Sequence, residues 1–180
     1  MQIWFTSDLH LWLCHDKDFI YQARGYNNVE EMNNDLIEKW NQVVLPEDVV
    51  YILGDMALGN DLEKIKSYLT SLNGKKILIR GNHDTDKKVE FYKNNQIFEN
   101  ITYMDVIKYK KKIFLLSHYP QLTYNYDYNK VFSLYGHTHQ TNSINPNILG
   151  YHVGIDSNNN TPVSLEFIYN FLNKIRRVYL

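Results

Sequence analysis

Short runs of apolar and β-branched residues recur along the chain, and each is bounded by turn-forming or polar residues. Runs of this length and composition predict strands, and the nearly continuous apolar ones are typical of strands covered on both faces. The predicted strands are residues 3–6, 49–53, 76–79, 105–109, 113–117, 131–135 and 151–155. The lysines at 110–112 lie between two of them and predict an exposed hairpin turn.

Apolar residues at helical spacing predict three helices. The first, over 29–43, has the stripe Met32, Leu36, Ile37 and Trp40, and the second, over 61–72, has Leu62, Ile65, Leu69 and Leu72. The third has Leu165, Ile168, Leu172 and Ile175, with Pro162 and Ser164 as start signals. The early part alternates strand and helix, whereas the later part is richer in strands, which predicts a mixed α/β sandwich with helices outside.

Bulk composition narrows the class of protein. A chain of 180 residues with 44% hydrophobic content fits one globular domain, 1–180. The net charge of −1 gives no reason to expect strong nucleic-acid binding. Cys14 is the single cysteine, so no intrachain disulfide forms, which fits a reducing cytoplasm. No apolar run reaches the roughly 18 residues of a membrane helix, and the N-terminus lacks signal-peptide features.

Polar clusters follow five of the predicted strands. They contain Asp8 and His10, then Asp55, then Asn82, His83 and Asp84, then His118, and finally His137 and His139. In open α/β sheets, sites form outside the carboxyl ends of the strands, so these clusters are expected to converge. Five of the seven histidines lie in them, which a structural role for each histidine explains poorly. His152 lies outside them and is expected to be structural.

The residue types and spacing predict a site for two metal ions. Asp-x-His at 8–10 and His-x-His at 137–139 would place both side chains on one face of an extended segment. Imidazole and carboxylate ligands suit Mn²⁺, Fe²⁺ or Zn²⁺, and one carboxylate, here Asp55, can bridge two ions. The absence of a thiolate excludes a cysteine-type zinc site. Taken alone, "GNHD" at 81–84 fits a polar turn equally well.

The order Asp-x-His, Gly-Asp, Gly-Asn-His-Asp, His, Gly-His-x-His resembles the calcineurin-like metallophosphoesterase superfamily. The resemblance runs from Asp8 to His139, and the stretch "RGY…EEMNNDLIEKWNQVV…DVVYILGDMA" is similar to a compact bacterial and phage branch. It implies the four-layer metallophosphoesterase fold, an α/β (α+β) class in which two mixed β-sheets pack as a sandwich flanked by helices.

The resemblance also implies roles for individual residues. One metal would be held by Asp8, His10 and His139, with Asp55 bridging. The second would be completed by Asn82, His118 and His137. His83 would be the catalytic histidine and Asp84 its orienting partner. One departure is Leu58, which stands where many members have an acidic residue. The sequence therefore leaves open which residues support the metal ligands.

The implied activity is that of a metal-dependent phosphoric ester hydrolase. A metal-bound hydroxide would attack a small or nucleotide-derived phosphodiester, and His83 would protonate the leaving oxygen. The expected cofactors are two divalent ions, Mn²⁺ first, with Fe, Zn or Ni as alternatives. A phosphomonoesterase, a nucleotide pyrophosphatase and a non-catalytic interaction scaffold are the other readings of the same fold. No membrane partner is expected, and the oligomeric state is open.

Weaker signals leave alternatives open. Substrate contact is one interpretation of Arg80, His15 and Arg24, and a surface or packing role is the other. The tyrosine-rich segment 119–130 is either a lid over the site or an exposed loop.

Overall fold

The strands of the computed structural model agree closely with the predicted ones. The model describes residues 1–11, 19–121, 130–144 and 150–179, with side chains to residue 174. Its strands are β1 (Ile3–Thr6), β2 (Val49–Ile52), β3 (Lys75–Ile79), β4 (Asn100–Thr102), β5 (Met104–Tyr109), β6 (Lys112–Ser117), β7 (Val131–Tyr135), β8 (Gly150–His152) and β9 (Val163–Ser164). The predicted strand 151–155 is too long, because β8 ends at His152 and a 3₁₀ turn follows at Ile155–Ser157. The short strands β4 and β9 were not predicted.

The strands form two mixed sheets. The first has the order β4-β3-β2-β1-β9, parallel from β4 to β1, with β9 antiparallel to β1. The second has the order β5-β6-β7-β8, in which only the β5–β6 hairpin is antiparallel. Tyr109 pairs with Lys112 across a turn of Lys110 and Lys111, which confirms the predicted hairpin.

Five helices lie within the described ranges, and they confirm the prediction of flanking helices. They are α1 (Phe19–Ala23), α2 (Val29–Val43), α3 (Leu62–Ser71), α4 (Asp86–Asn94) and α5 (Leu165–Tyr179). Side chains of Asn28, Asp61, Thr85 and Ser164 accept backbone hydrogen bonds at the starts of α2 to α5. Among the described residues, no helix is long and apolar enough to span a bilayer.

Two hydrophobic clusters hold these layers together. The first lies on the outer face of the first sheet, where Trp40 of α2, Leu69 of α3 and Tyr92 of α4 pack with Val50 and Ile52. The second lies between the sheets and contains Phe5, Leu53, Phe114, Phe132 and, from α5, Leu165, Ile168 and Leu172. Val50 and Ile52 face the first cluster, whereas Tyr51 and Leu53 face the second. This alternation explains why a strand buried on both faces is a continuous apolar run.

Packing of the two sheets brings their carboxyl-terminal strand ends to one place. Leu53 donates its backbone N–H to Thr6, and Gly136 donates to His118. Ile155, after β8, donates to Ser7, after β1, and so joins the two sheets, whereas Val153 donates to Tyr135 within the second sheet. The loops after β1, β2, β3, β6 and β7 thereby meet at one edge of the sandwich.

Candidate metal centre

The predicted site residues lie on loops joined by backbone hydrogen bonds. Asp8 donates its N–H to Gly54 at 3.0 Å, and His10 donates to Asp55 at 3.1 Å. On the other side, the N–H of His137 donates to the Asp8 carboxylate, at 3.0 Å from Oδ2. The side chains therefore converge because hydrogen bonds join the loop after β1 to the loops after β2 and β7.

The two His-containing pairs converge by a different conformation from the extended one that their spacing predicted. Asp8 and His10 have φ of 57° and 51°, and His137 and His139 have φ of 68° and 46°. Asp55 is also left-handed, with φ of 56°. The expectation of extended segments was wrong, because hydrogen bonds between the loops hold these residues in a region that residues other than glycine rarely adopt.

Asp8, His10 and His139 form one group of converging ligand atoms, all within 4.8 Å of one another. The two Nε2 atoms of His10 and His139 face each other at 3.0 Å. Nδ1 of His10 is buried and has no hydrogen-bond partner among the described residues. Burial and the positive charge of Arg24 lower the pKa of His10, so its imidazole is neutral and able to bind a cation.

A second group forms around His118. One ligand atom each from Asp8, Asp55 and His118 lie within 4.8 Å of one another. His118 Nδ1 is 2.8 Å from the Leu53 carbonyl oxygen, which can only accept, so Nδ1 carries a proton. Nε2, the other ring nitrogen, faces Asn82 Oδ1 at 2.8 Å and Asp55 Oδ2 at 3.5 Å.

This arrangement fits a bound cation. Imidazole and carboxylate atoms converge in both groups, and a positive ion could bind several of them at once. Asn82 Oδ1 also lies 3.0 Å from Nδ1 of His137, so the amide oxygen is shared by both histidines. Burial raises the pKa of the Asp8 carboxyl to about 6, which shows how costly its charge is without a compensating cation.

His83 lies beside these groups with its ring open to solvent. The backbone N–H of His83 donates to Asp55 Oδ1 at 2.8 Å, and its Nε2 is 4.0 Å from Asp55 Oδ2. The side chain is 44% exposed. A ring held in this position can reach a molecule bound over the site without displacing the buried groups.

Asp84 does not have the partner that was predicted for it. Its buried carboxylate accepts the backbone N–H groups of Asp55 and Gly81, both at 2.9 Å, and of Met56 at 3.3 Å. No described hydrogen bond joins it to the His83 ring. Asp84 thus connects the loops after β2 and β3, because its two oxygens reach the three N–H groups of those loops.

The two arginines singled out by sequence are held by hydrogen bonds within the chain. Arg80 donates to the Asp84 carbonyl, the Tyr103 hydroxyl and the Asp86 carboxylate. Arg24 donates to Asp156 and to the backbone carbonyls of Asp8 and Leu9. These bonds engage all three nitrogens of each guanidinium, and substrate contact by either arginine stays a prediction. His15 and residues 122–129 lie outside the described residues.

Two residues that sequence reasoning missed support the site. The Asp156 carboxylate accepts from His139 Nδ1 at 2.7 Å, and this hydrogen bond raises the pKa of His139. Lys88, which is buried, donates Nζ to the carbonyls of Ala57 and His83 at 2.6 and 3.1 Å. Lys88 lies next to the apolar residue Val89, which is the one feature of the sequence that could have indicated its burial. Asp156 lies in a polar segment with no distinguishing pattern.

Comparisons with known proteins identify the family of this chain. The family model for calcineurin-like phosphoesterases matches residues 1–174, and the chain belongs to that family. It is 35% identical over 179 residues to "Uncharacterized protein MJ1445" of Methanocaldococcus jannaschii, covering 96% of this chain and 92% of that one. It is 30% identical over 202 residues to "Gene 66 protein" of Mycobacterium phage L5, covering 96% and 94%.

A solved structure shares the fold. The protein of unknown function AQ665 from Aquifex aeolicus superposes with a TM-score of 0.72 at 26% identity, covering 94% of this chain and 98% of that one. The resemblance inferred from the motifs is thereby confirmed for the family and for the sandwich of two mixed sheets.

Proposed function

We propose that this protein is a dinuclear-metal-dependent phosphoesterase that hydrolyses a small or nucleotide-derived phosphodiester. The observation that carries the proposal is the convergence of His118 Nε2 with the oxygens of Asn82 and Asp55. Imidazole, amide and carboxylate atoms placed together in this way can bind one cation. Family membership supports phosphoester hydrolysis as the chemistry.

We assign the ligands to two positions, in line with the groups described above. The first position comprises Asp8, His10 and His139. Asp55 bridges, and the second position is completed by Asn82, His118 and His137. Mn²⁺ is the proposed ion, with Fe, Zn or Ni as alternatives for the same imidazole and carboxylate donors. Two such ions, when bound, would supply an activated water and neutralise charge on the phosphate oxygens.

His83 is the proposed general acid. The backbone N–H of His83 donates to Asp55 Oδ1, which places this residue, with its exposed ring, beside the proposed bridging carboxylate. From there it would donate a proton to the leaving oxygen as the ester bond breaks. Lys88 would keep this loop in place through the His83 carbonyl.

The rim of the site supports a small substrate. Asn82, His137 and His139 are exposed, so the described part of the site is open. Tyr119 has an exposed ring that packs edge-on against His118 and His137, with centroids 5.1 and 4.7 Å apart. A planar leaving group could lie against it. The near-neutral net charge supports no nucleic-acid partner. The single cysteine is compatible with the cytoplasm, the location that we propose.

The test is hydrolysis of an aryl phosphodiester and the matching monoester by metal-stripped protein with Mn²⁺ added back. We expect Mn²⁺-dependent activity that favours the diester. His83→Ala should lower kcat by about 10²–10⁴-fold while two Mn²⁺ still bind. Full activity in that variant would refute the role of His83. Preference for the monoester would favour a phosphomonoesterase, and absence of both metal binding and activity would favour a scaffold.

A further inference from the structure

We propose that Asp156 and Arg24 are positioning residues that make the metal position of Asp8, His10 and His139 bind its ion more tightly than the second position. The inference rests on the proposed function only in taking these three residues as metal ligands. It assigns a role to Asp156, which no motif includes, and to Arg24, for which the sequence left substrate contact and packing open, and it predicts an order of metal loading.

The contact between Asp156 and His139 determines which ring nitrogen is available for metal. His139 Nδ1 lies 2.7 Å from Asp156 Oδ2, and a carboxylate at that distance accepts the Nδ1 proton. Nε2 is then the unprotonated nitrogen, and it is the atom that faces His10 Nε2 at 3.0 Å. His139 is 44% exposed, so packing alone does not fix its ring, and the carboxylate supplies the constraint.

Arg24 holds both this carboxylate and the loop that carries the other two ligands. Its side chain is 6% exposed. Nε donates to Asp156 Oδ1 at 2.8 Å, one terminal nitrogen donates to the Asp8 carbonyl at 2.7 Å, and the other donates to the Leu9 carbonyl at 3.0 Å. One planar guanidinium therefore joins Asp156 to the Asp8–His10 loop with fixed geometry.

Among the described residues, no carboxylate outside the proposed ligands accepts a hydrogen bond from a histidine of the second position. Behind His118, the acceptor is the neutral carbonyl of Leu53 at 2.8 Å. A carboxylate behind a metal-binding imidazole raises the basicity of the ligand more than a neutral carbonyl does, and loss of such partners typically costs about 10–100-fold in metal affinity. The position that contains His139 is therefore the tighter of the two.

The test compares Mn²⁺ binding by wild type and Asp156→Asn, with calorimetry for affinity and metal analysis for stoichiometry. Arg24 Nε and His139 Nδ1 bond to different oxygens of Asp156. In the variant one of those oxygens is replaced by an NH₂ group, which cannot accept. We expect wild type to bind two ions, one more tightly. Asp156→Asn should weaken the tighter ion by about 10–100-fold and leave the other within about twofold. Arg24→Lys should show the same selective loss, because an ammonium cannot reproduce the three directed bonds.

A spectroscopic measurement on metal-free protein separates positioning from a general structural role. At pH 8, nitrogen NMR should show His139 with its proton on Nδ1 in wild type, and a shift toward Nε2 protonation in Asp156→Asn. Asp48→Asn is the matched control, because Asp48 is a buried carboxylate that accepts from Gln2, Trp4 and Leu45 at the other end of β2. It should alter neither the His139 signal nor metal binding.

The outcomes separate this inference from the proposed function. Unchanged Mn²⁺ affinity in Asp156→Asn, equal weakening of both ions, or an unchanged His139 tautomer would overturn the inference, even if the wild type hydrolyses phosphodiesters. Selective loss of the tighter ion together with the tautomer shift would establish it, even if the wild type had no phosphoesterase activity and the proposed function failed.

Discussion

The carboxylate of Asp84 accepts the backbone N–H of Asp55 at 2.9 Å, across 29 positions of sequence. The same oxygen accepts the N–H of Gly81 at 2.9 Å, and the other oxygen accepts that of Met56 at 3.3 Å. Asp84 thereby helps to hold Asp55, the proposed bridging ligand, in its left-handed conformation. The "GNHD" segment thus contributes a proposed ligand, an exposed imidazole and the carboxylate that fixes the neighbouring loop.

Removal of this carboxylate should loosen the site. We expect Asp84→Ala to lower the free energy of unfolding by about 3 kcal/mol, because three buried N–H groups lose their acceptor, and to weaken Mn²⁺ binding. Urea denaturation and Mn²⁺ titration measure the two effects. Asp86→Asn is the control, since that carboxylate is 94% exposed and its loss should cost less than about 0.5 kcal/mol. Equal effects of the two substitutions would contradict this role.

A methyl group at Gly81 should displace the bridging carboxylate. A Cβ there would lie 2.3 Å from Asp55 Oδ1 and 2.7 Å from the Asp55 nitrogen, so the loops must separate. We expect Gly81→Ala to reduce the bound Mn²⁺ from two ions to at most one, as measured by metal analysis. In Gly25→Ala the new methyl has open space but φ is +81°, so stability should fall by about 1 kcal/mol with both ions retained. Retention of both ions by Gly81→Ala would refute the prediction.

Asp48 should stabilise the fold without affecting metal binding. Burial alone would raise the pKa of this carboxyl, but hydrogen bonds from Gln2, Leu45 and Trp4 outweigh it and hold the pKa below the usual value. Its contribution is therefore present above the ordinary pKa of about 4 and is lost as the pH falls through the lower folded-state value. We expect Asp48→Asn to cost about 2 kcal/mol at pH 7 by urea denaturation, and less in strong acid. A pH-independent cost would argue against charge as the cause.

His152 should make the protein sensitive to mild acid. Burial lowers the pKa of this histidine to about 4, and its Nδ1 is 2.7 Å from the Ser157 hydroxyl. The unfolded chain binds a proton near pH 6.5 and the folded chain only near 4, so stability falls as the pH drops through that window, by about 3 kcal/mol in all. His152→Gln should reduce this pH dependence in urea denaturation series from pH 7.5 to 4.5. An unchanged slope would show that other groups cause it.

Much of the fold could be predicted because its strands are short apolar runs bounded by turn residues. The strands that were missed, β4 and β9, span three and two residues and exist because neighbouring strands offer hydrogen-bond partners. Helix α4 was not predicted because its buried face includes Lys88 beside Val89 and Tyr92. Its apolar stripe is correspondingly weak, and its boundaries depend on the Thr85 cap.

The sequence by itself determined which residues could form the site, because the parallel order of the strands carries the polar residues that follow them to one edge of the sandwich. Only the tertiary structure decided how those residues are held. The left-handed backbone at Asp8 and Asp55, and the partners of Asp84, follow from hydrogen bonds between loops. Arg24 pairs with Asp156, which lies 132 positions away in the sequence. A pattern of neighbouring residues cannot predict a contact between residues so far apart in the chain.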